Sequence, residues 1–497
     1  MNEARVTVDF GRRLGLLRPI WRSIGYDEIN WTYTPRGRAL HATLREIVRG
    51  PLAVRNHNAF TSGNGLSSPA WGSTNLYHER ADGGMALDWR WADRVYDVFA
   101  EHGWEPIIEL GFMPRDLSAK ASGMAGPGPG QHVGPEPYEN GAWRHPPKSY
   151  ARWSELCQAF VAHLVDRYGA RRVERWRFEV WNEPDIPYYW QGSLEEYCEL
   201  YEASRAGVRM ALPGAQVGGP ATTEAGTEFL RQMLARVSRP DFVSFHTKGA
   251  YYSPRRHYNP FVSGPRESPS LGKMIADVQR NVATIRERYP DVPIVVDECD
   301  PAVGTPYGVF DTPNFVVVNT THYPTMVCAL ARELLEHSPV DRFTSWAFYM
   351  EGKRWFEGNR ALVTNENVEL PVLDGFRMLE RLGDHRVDAR AVGVGVLAGD
   401  RAAIVYHHVD AWWAEGVAPV TLRCDGAPRA VRFSRLGRSY AKWLEMGAPD
   451  DPSADQVAQL RRASGLQELG TAPTEAGRLV HRLDVPVHEA ILCEVVA

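Results

Sequence analysis

From about residue 20 to residue 380, short apolar runs alternate with longer amphipathic stretches. The apolar runs predict strands over residues 20–26, 52–58, 105–111, 176–181, 216–219, 242–246, 293–298 and 342–348. The stretches between them predict helices over 37–48, 89–102, 149–168, 194–211, 227–237, 271–289, 325–337 and 371–382. A strand followed each time by a long helical connection means a parallel sheet. Eight such units predict a closed (β/α)8 TIM barrel over an open sheet.

From Val387 the texture changes to short alternating runs separated by turn residues, which predicts an antiparallel β-sandwich. One helix is expected within it over 453–464, with Ser453 as its N-cap. The alternating run Arg5 to Phe10 precedes the barrel and is expected to pair into the sandwich. The expected organisation is therefore an N-terminal strand segment over 1–15, a barrel over 16–384 and a β-sandwich domain over 385–497.

Composition narrows the function classes. A chain of 497 residues exceeds one compact core, and 44% hydrophobic with 24% charged content is ordinary for a globular protein. The net charge is −5 with both signs interspersed, and no cationic block suits phosphate neutralisation, so no nucleic-acid partner is expected. No run reaches the ~20 apolar residues of a membrane span, so no membrane partner is expected. The N-terminus carries no apolar secretion signal, and a cytoplasmic location is expected. The six cysteines are dispersed, without disulfide or zinc spacing. The dipeptide His407-His408 has no metal-ligand partner at suitable spacing, so neither a metal nor a cofactor is expected.

Two strand ends carry candidate chemistry. One β-prone run stops in Trp181-Asn182-Glu183-Pro184, and another apolar run stops in Asp297-Glu298. The C-terminal strand ends form the active-site face of such a barrel. Two carboxyls there, far apart in sequence, are what glycoside cleavage needs: one acid/base and one nucleophile or base. Glu183 suits the acid, because a strand-end carboxyl among Trp181, Trp190 and Tyr188 would be desolvated and its pKa raised. Glu298 suits the nucleophile, and strand alternation puts Asp297 on the opposite face. Asn182 can bond a sugar hydroxyl, and Trp346, closing the eighth strand, suits a floor under the ring. The Pro/Gly-rich segment 123–130 reads as a flexible lid or rim.

The chain resembles family 39 of the glycoside hydrolases, which contains β-xylosidases and α-L-iduronidases, and more closely the α-L-iduronidase branch. The resemblance rests on residues 17–25, Val54-Arg55-Asn56-His57, Glu179-Val180-Trp181-Asn182-Glu183-Pro184-Asp185, Phe245-His246-Thr247-Lys248 and Asp297-Glu298-Cys299-Asp300-Pro301, and more weakly on Trp443-Leu444-Glu445-Met446-Gly447. It implies Glu183 as acid/base, Glu298 as nucleophile, and Arg55, His57, Asn182 and His246 as sugar contacts. Lys248 matches a lysine that pairs the sugar carboxylate in iduronidases, where xylosidases tend to carry an aromatic. Arg360 matches a second carboxylate-binding arginine, and Glu351 stands where an aspartate contacts sugar hydroxyls. In relatives the peptide after the residue matching Trp346 is often cis. The implied function is a retaining exo-acting hydrolase of a terminal uronate in an oligosaccharide or glycoside. A β-xylosidase or other pentosidase is the alternative, and a non-catalytic carbohydrate-binding protein is the alternative of another class.

Overall fold

The computed structural model describes residues 3–63, 72–120, 139–249, 268–301, 313–338, 340–349, 354–358 and 360–496. Strand β1 (Ala4–Leu16) leads into β2 (Ser23–Tyr26) and β3 (Ala53–Asn56). A small hairpin, β4 (Tyr77–Glu79) and β5 (Met85–Leu87), precedes β6 (Glu105–Leu110) and β7 (Arg177–Val180). Then come β8 (Gln216–Thr222), β9 (Phe242–Lys248), β10 (Ile294–Asp300) and β11 (Arg342–Trp346). Strands β2, β3, β6, β7, β8, β9, β10 and β11 close into one parallel barrel in that order. All eight coincide with strands expected from the sequence.

Helices form between them because their apolar residues repeat at helical spacing. The helix Tyr150–Tyr168 buries Trp153, Leu156, Cys157, Phe160, Val161 and Leu164, one stripe facing the sheet. Its N-terminus is capped by Ser149, whose hydroxyl accepts from the Arg152 amide. The helix Leu194–Ala211 carries a full capping box, Ser193 with Glu196.

The barrel interior is layered. Ala53, Ile107, Phe242 and Val295 form an apolar plug. Two residues further along the same strands stand Arg55, Glu109, Ser244 and Asp297, all with 1% exposure or less. Glu179 of β7 joins that polar layer, directly beside Glu109 in the ladder. A charged layer above an apolar plug raises the functional residues to the C-terminal face.

Past the barrel the chain builds β12 (His385–Val392), β13 (Gly395–Ala398), β14 (Ala402–His407), β15 (Val417–Asp425), β16 (Ala430–Arg435), β17 (Gln467–Pro473), β18 (Arg478–Pro486) and β19 (Glu489–Val496). Two sheets result, ordered β12-β1-β15-β18 and β13-β14-β19-β16-β17. β1 does join the sandwich, antiparallel to β12 but parallel to β15, the one parallel pair among the described strands of an otherwise antiparallel arrangement. Val6, Val8 and Phe10 of β1 point into the inter-sheet core with Val405, Ile491 and Cys493. Ile404, Tyr406, Ala490 and Leu492 face the other way and belong to the barrel's core. The central strands of the five-stranded sheet are thus buried on both faces, which explains why Ala402–His407 is apolar nearly throughout. The expected helix is present as Ala454–Ala463, and Ser453 caps it.

Candidate active site

The turn after β7 is conformationally strained. Trp181 (φ 68°) and Glu183 (φ 43°) both adopt left-handed backbone, a region that disfavours residues with a side chain. The surroundings hold them there. The Trp181 indole donates to the Tyr189 carbonyl at 3.0 Å, and the Glu183 amide donates to the Ala221 carbonyl at 2.9 Å. The result aims Asn182 and Glu183 across the barrel mouth.

Arg55 is the hub beneath them. Its Nε donates to Glu179 Oε2 at 2.6 Å, and its terminal nitrogens reach Glu298 Oε1 at 3.0 Å, Asn182 Oδ1 at 2.9 Å and Glu109 Oε2 at 3.3 Å. Asp297 Oδ2 lies 3.4 Å from Nε. Burial opposes the guanidinium's charge, but Glu179, Asp297, Glu109 and Glu298 together outweigh it. Asp297 is pushed well above the usual carboxylate range by burial and by the neighbouring Glu179 charge. Glu179 stays low despite burial, held by Arg55, by a hydrogen bond with Asp297 and by the Ser244 hydroxyl at 2.6 Å. Asp297 is therefore the proton-bearing member of that pair.

Glu183 and Glu298 face one another with His246 between them. A carboxylate oxygen from each and a ring nitrogen of His246 all lie within 4.8 Å of one another. His246 Nδ1 is 2.7 Å from Glu183 Oε1 and 3.8 Å from Glu298 Oε2. Their environments drive the two carboxyls apart. Glu183 is pushed up to about 8, first by burial and then by the Glu298 charge. Burial also pushes Glu298 up, but His246, Lys248, a hydrogen bond from His57 and Arg55 reverse this and hold it well below its ordinary value. Burial keeps His246 itself near 3, with Arg55 and Lys248 opposing its protonation, so the ring is neutral. The fixed cations Lys248 and Arg55 therefore carry the stabilisation of Glu298. His57 is charged: burial lowers it, but the charge of Glu109 and a short hydrogen bond to it push the imidazole up to about 10.

Register explains the second cluster. Parallel pairing sets His246 beside Glu298 and Lys248 beside Asp300. Lys248 Nζ donates to Glu298 Oε2 at 2.7 Å and to Asp300 Oδ2 at 2.8 Å, with its side chain 6% exposed. Arg360 approaches the same Asp300 at 3.9 Å and Asp27 at 3.5 Å. Trp346 is buried, with the Arg55 guanidinium 5.2 Å from its ring centre and His57 at 5.0 Å. Its indole N–H has no hydrogen-bond partner among the described residues, and neither does the Asn182 amide nitrogen.

The structure thus gathers Arg55, His57, Asn182, Glu183, His246, Lys248, Glu298, Trp346 and Arg360 at one barrel mouth. Glu351 and the segment 123–130 lie outside the described residues. Four expectations need correction. Asp297 faces the barrel interior, because alternation from Val295 puts it there; a register break between Val296 and Glu298 then turns Glu298 inward as well. Tyr188 is 41% exposed, and it is Tyr189 whose ring lies 6.2 Å from His57. The cis peptides among the described residues are Gly111–Phe112 and Gly219–Pro220, and the bond after Trp346 is not one of them. His408 does meet possible metal ligands, His322 and His488, brought in by the fold. Glu109, Glu179, Asp27 and Asp300 were not singled out from the sequence. Glu109 and Glu179 left one signal, a carboxylate in the middle of an otherwise apolar strand.

The model of glycosyl hydrolases family 39 matches residues 71–479. A β-xylosidase of Geobacillus stearothermophilus is 30% identical over 431 residues, which cover 81% of this chain and 79% of the relative. The human α-L-iduronidase is 25% identical over 419 residues, 69% of this chain and 60% of that protein. Among solved structures, a monomeric β-xylosidase from Caulobacter crescentus aligns with a TM-score of 0.80 at 21% identity, over 99% of this chain and 100% of that one. A bacterial orthologue of human α-L-iduronidase aligns with a TM-score of 0.78 at 21% identity, over 100% of this chain and 84% of that one. At such identities the solved structures speak for the shared fold. The family match spans most of the chain, barrel and sandwich together, and the chain belongs to family 39 of the glycosyl hydrolases.

Proposed function

We propose that this glycoside hydrolase is a retaining, exo-acting enzyme in which Glu298 is the nucleophile and Glu183 the acid/base, removing a terminal uronate in the manner of an α-L-iduronidase. The observation that carries the catalytic pair is the opposed titration of two carboxyls whose oxygens approach within 4.8 Å. At neutral pH one holds a proton and the other does not, as double displacement requires. Glu298 Oε attacks the anomeric carbon while Glu183 passes its proton to the departing oxygen. Water then attacks the glycosyl ester, giving its proton to Glu183 and releasing Glu298. Close approach of the nearest oxygens supports this over inversion, in which a water sits between carboxyl groups roughly 6.5–9.5 Å apart. The unpartnered amide of Asn182 is free to bond a sugar hydroxyl beside the reacting carbon.

The uronate reading rests on Lys248, buried, and Arg360, part-buried, two cations at the same mouth. A pentoside reading has its own support: Asp300 and Glu298 already meet the Lys248 charge, and the β-xylosidase relative is 30% identical. A panel of aryl iduronide, xyloside, glucuronide, galactoside and arabinoside separates them. Iduronide turnover well above xyloside supports the first reading, and the reverse order establishes the second. Proton NMR of the first-formed sugar tests the mechanism on whichever glycoside is cleaved. A product of inverted configuration, or a trapped 2-fluoroglycosyl label on a residue other than Glu298, would remove the nucleophile assignment.

A further inference from the structure

Three histidines from three distant segments meet where the barrel abuts the sandwich. His322 opens the helix His322–His337, His408 follows β14, and His488 sits in the turn between β18 and β19. A ring nitrogen from each lies within 4.8 Å of the other two. The side chain of His408 is 4% exposed, and His322 and His488 are buried.

The hydrogen bonds fix the tautomers of His322 and His488. His322 Nε2 lies 2.9 Å from the Asp410 carbonyl and His488 Nε2 lies 3.0 Å from the Ala411 carbonyl. Carbonyls only accept, so both Nε2 atoms carry hydrogen. The Thr325 hydroxyl lies 2.9 Å from the His322 carbonyl and 3.1 Å from His408 Nδ1; with its hydrogen on the carbonyl it accepts from His408 Nδ1. The three remaining nitrogens, His322 Nδ1, His408 Nε2 and His488 Nδ1, are buried with no hydrogen-bond partner among the described residues. His322 and His488 thus give their outer N–H to a carbonyl and keep the inner nitrogen bare, and His408 does the same when it donates to Thr325. That is how protein imidazoles are oriented around a metal. Three bare lone pairs together repel one another, and a cation removes that repulsion.

We propose that His322, His408 and His488 bind a divalent first-row metal, zinc by ligand type, which fastens the barrel helix to the sandwich. Asp410 Oδ1 stands 3.6 Å from His408 Nε2. The site uses none of the residues at the barrel mouth. Its contribution is stability, since a metal bound to the folded state alone raises the unfolding midpoint.

Untagged wild-type protein, expressed with zinc and desalted, should carry one metal per chain by plasma mass spectrometry. Stripping with a chelator should lower Tm, and zinc chloride should restore it. His488→Asn keeps a residue that tolerates the left-handed turn there, φ 62°, and should weaken zinc by at least roughly 100-fold. Glu183→Gln alters the other group of close ligand atoms, Glu183, His246 and Glu298, and should leave the metal in place. Wild-type protein that carries no metal and takes up none in a zinc titration would overturn the proposal, and a water would then be the bridging species. Uptake that survives His488→Asn but vanishes in Glu183→Gln would overturn it equally. The wild-type titration decides the matter even if the His488 variant fails to fold.

Discussion

At the residue scale, chemistry at this barrel mouth depends on opposed proton affinities. In the proposed mechanism Glu183 holds its proton to assist departure of the aglycone, and burial with the nearby Glu298 charge keeps it protonated until about pH 8. Glu298 is ionised well below that, so raising the pH removes the acid and spares the nucleophile. The expected kcat/KM profile is flat through neutrality and falls as pH passes about 8, which free-enzyme kinetics would show directly. An alkaline limb absent up to pH 10 would mean that Glu183 is not the proton donor. Glu183→Ala should slow natural glycosides far more than aryl glycosides with good leaving groups, because an aglycone that leaves readily as an anion needs little protonation. Equal loss in pre-steady-state glycosylation would make Glu183 a positioning residue. Lys248→Ala carries two effects, since Lys248 touches Glu298 at 2.7 Å. Every substrate should slow through the nucleophile. A uronide should lose an additional charge-assisted hydrogen bond, roughly 10- to 150-fold in kcat/KM beyond the loss for a xyloside. The ratio of the two losses is the readout, and a ratio near one refutes the uronate contact.

At the scale of elements, the strand ends do more than carry residues. β2 offers Gly25 because Trp346 lies flat against it: a Cβ there would stand 2.2 Å from the indole ring. Gly25→Ala should therefore displace Trp346 from beside Arg55 and His57, at a cost of about 1–3 kcal/mol in stability with a loss of activity. Urea unfolding and kcat/KM on the same protein check this; unchanged values for both would mean the indole has room to move. The register break in β10 is as consequential. Regular alternation would send either Asp297 or Glu298 outside the barrel, and the break between Val296 and Glu298 brings both to Arg55. Apolar periodicity reveals where a strand lies but not where its alternation slips, so Asp297 could not be placed from sequence.

On the scale of the whole molecule, the first strand of the chain completes the last sheet. Phe10 of β1 is 5% exposed in the inter-sheet core, and β1 lies between β12 and β15. Phe10→Ala should cost about 3–5 kcal/mol, and hydrogen exchange should show faster opening of β12 and β15. Unaltered exchange in both strands would indicate that β1 docks on a sandwich already formed without it. The outer face of the five-stranded sheet shares a core with the barrel helices, so the two parts are packed through Ile404, Tyr406, Ala490 and Leu492.

The sequence by itself determined the barrel and the sandwich and named ten candidate site residues; the structure gathers nine of them at the mouth, and Glu351 lies outside the described residues. The sequence could do so because strand period, helix period and strand-end polarity are local, and the motif Trp181-Asn182-Glu183-Pro184 with Asp297-Glu298 marks the right ends. Only the tertiary structure decided which carboxyl keeps a proton, since that follows from burial and from charges on other strands. It alone revealed that Glu109 and Glu179 lie side by side under Arg55, and that Lys248 is already paired by Asp300. It alone brought His322 and His488 to His408. Long-range contacts have no period along the chain, so residues that meet only through the closed barrel and the docked sandwich leave no pattern to read.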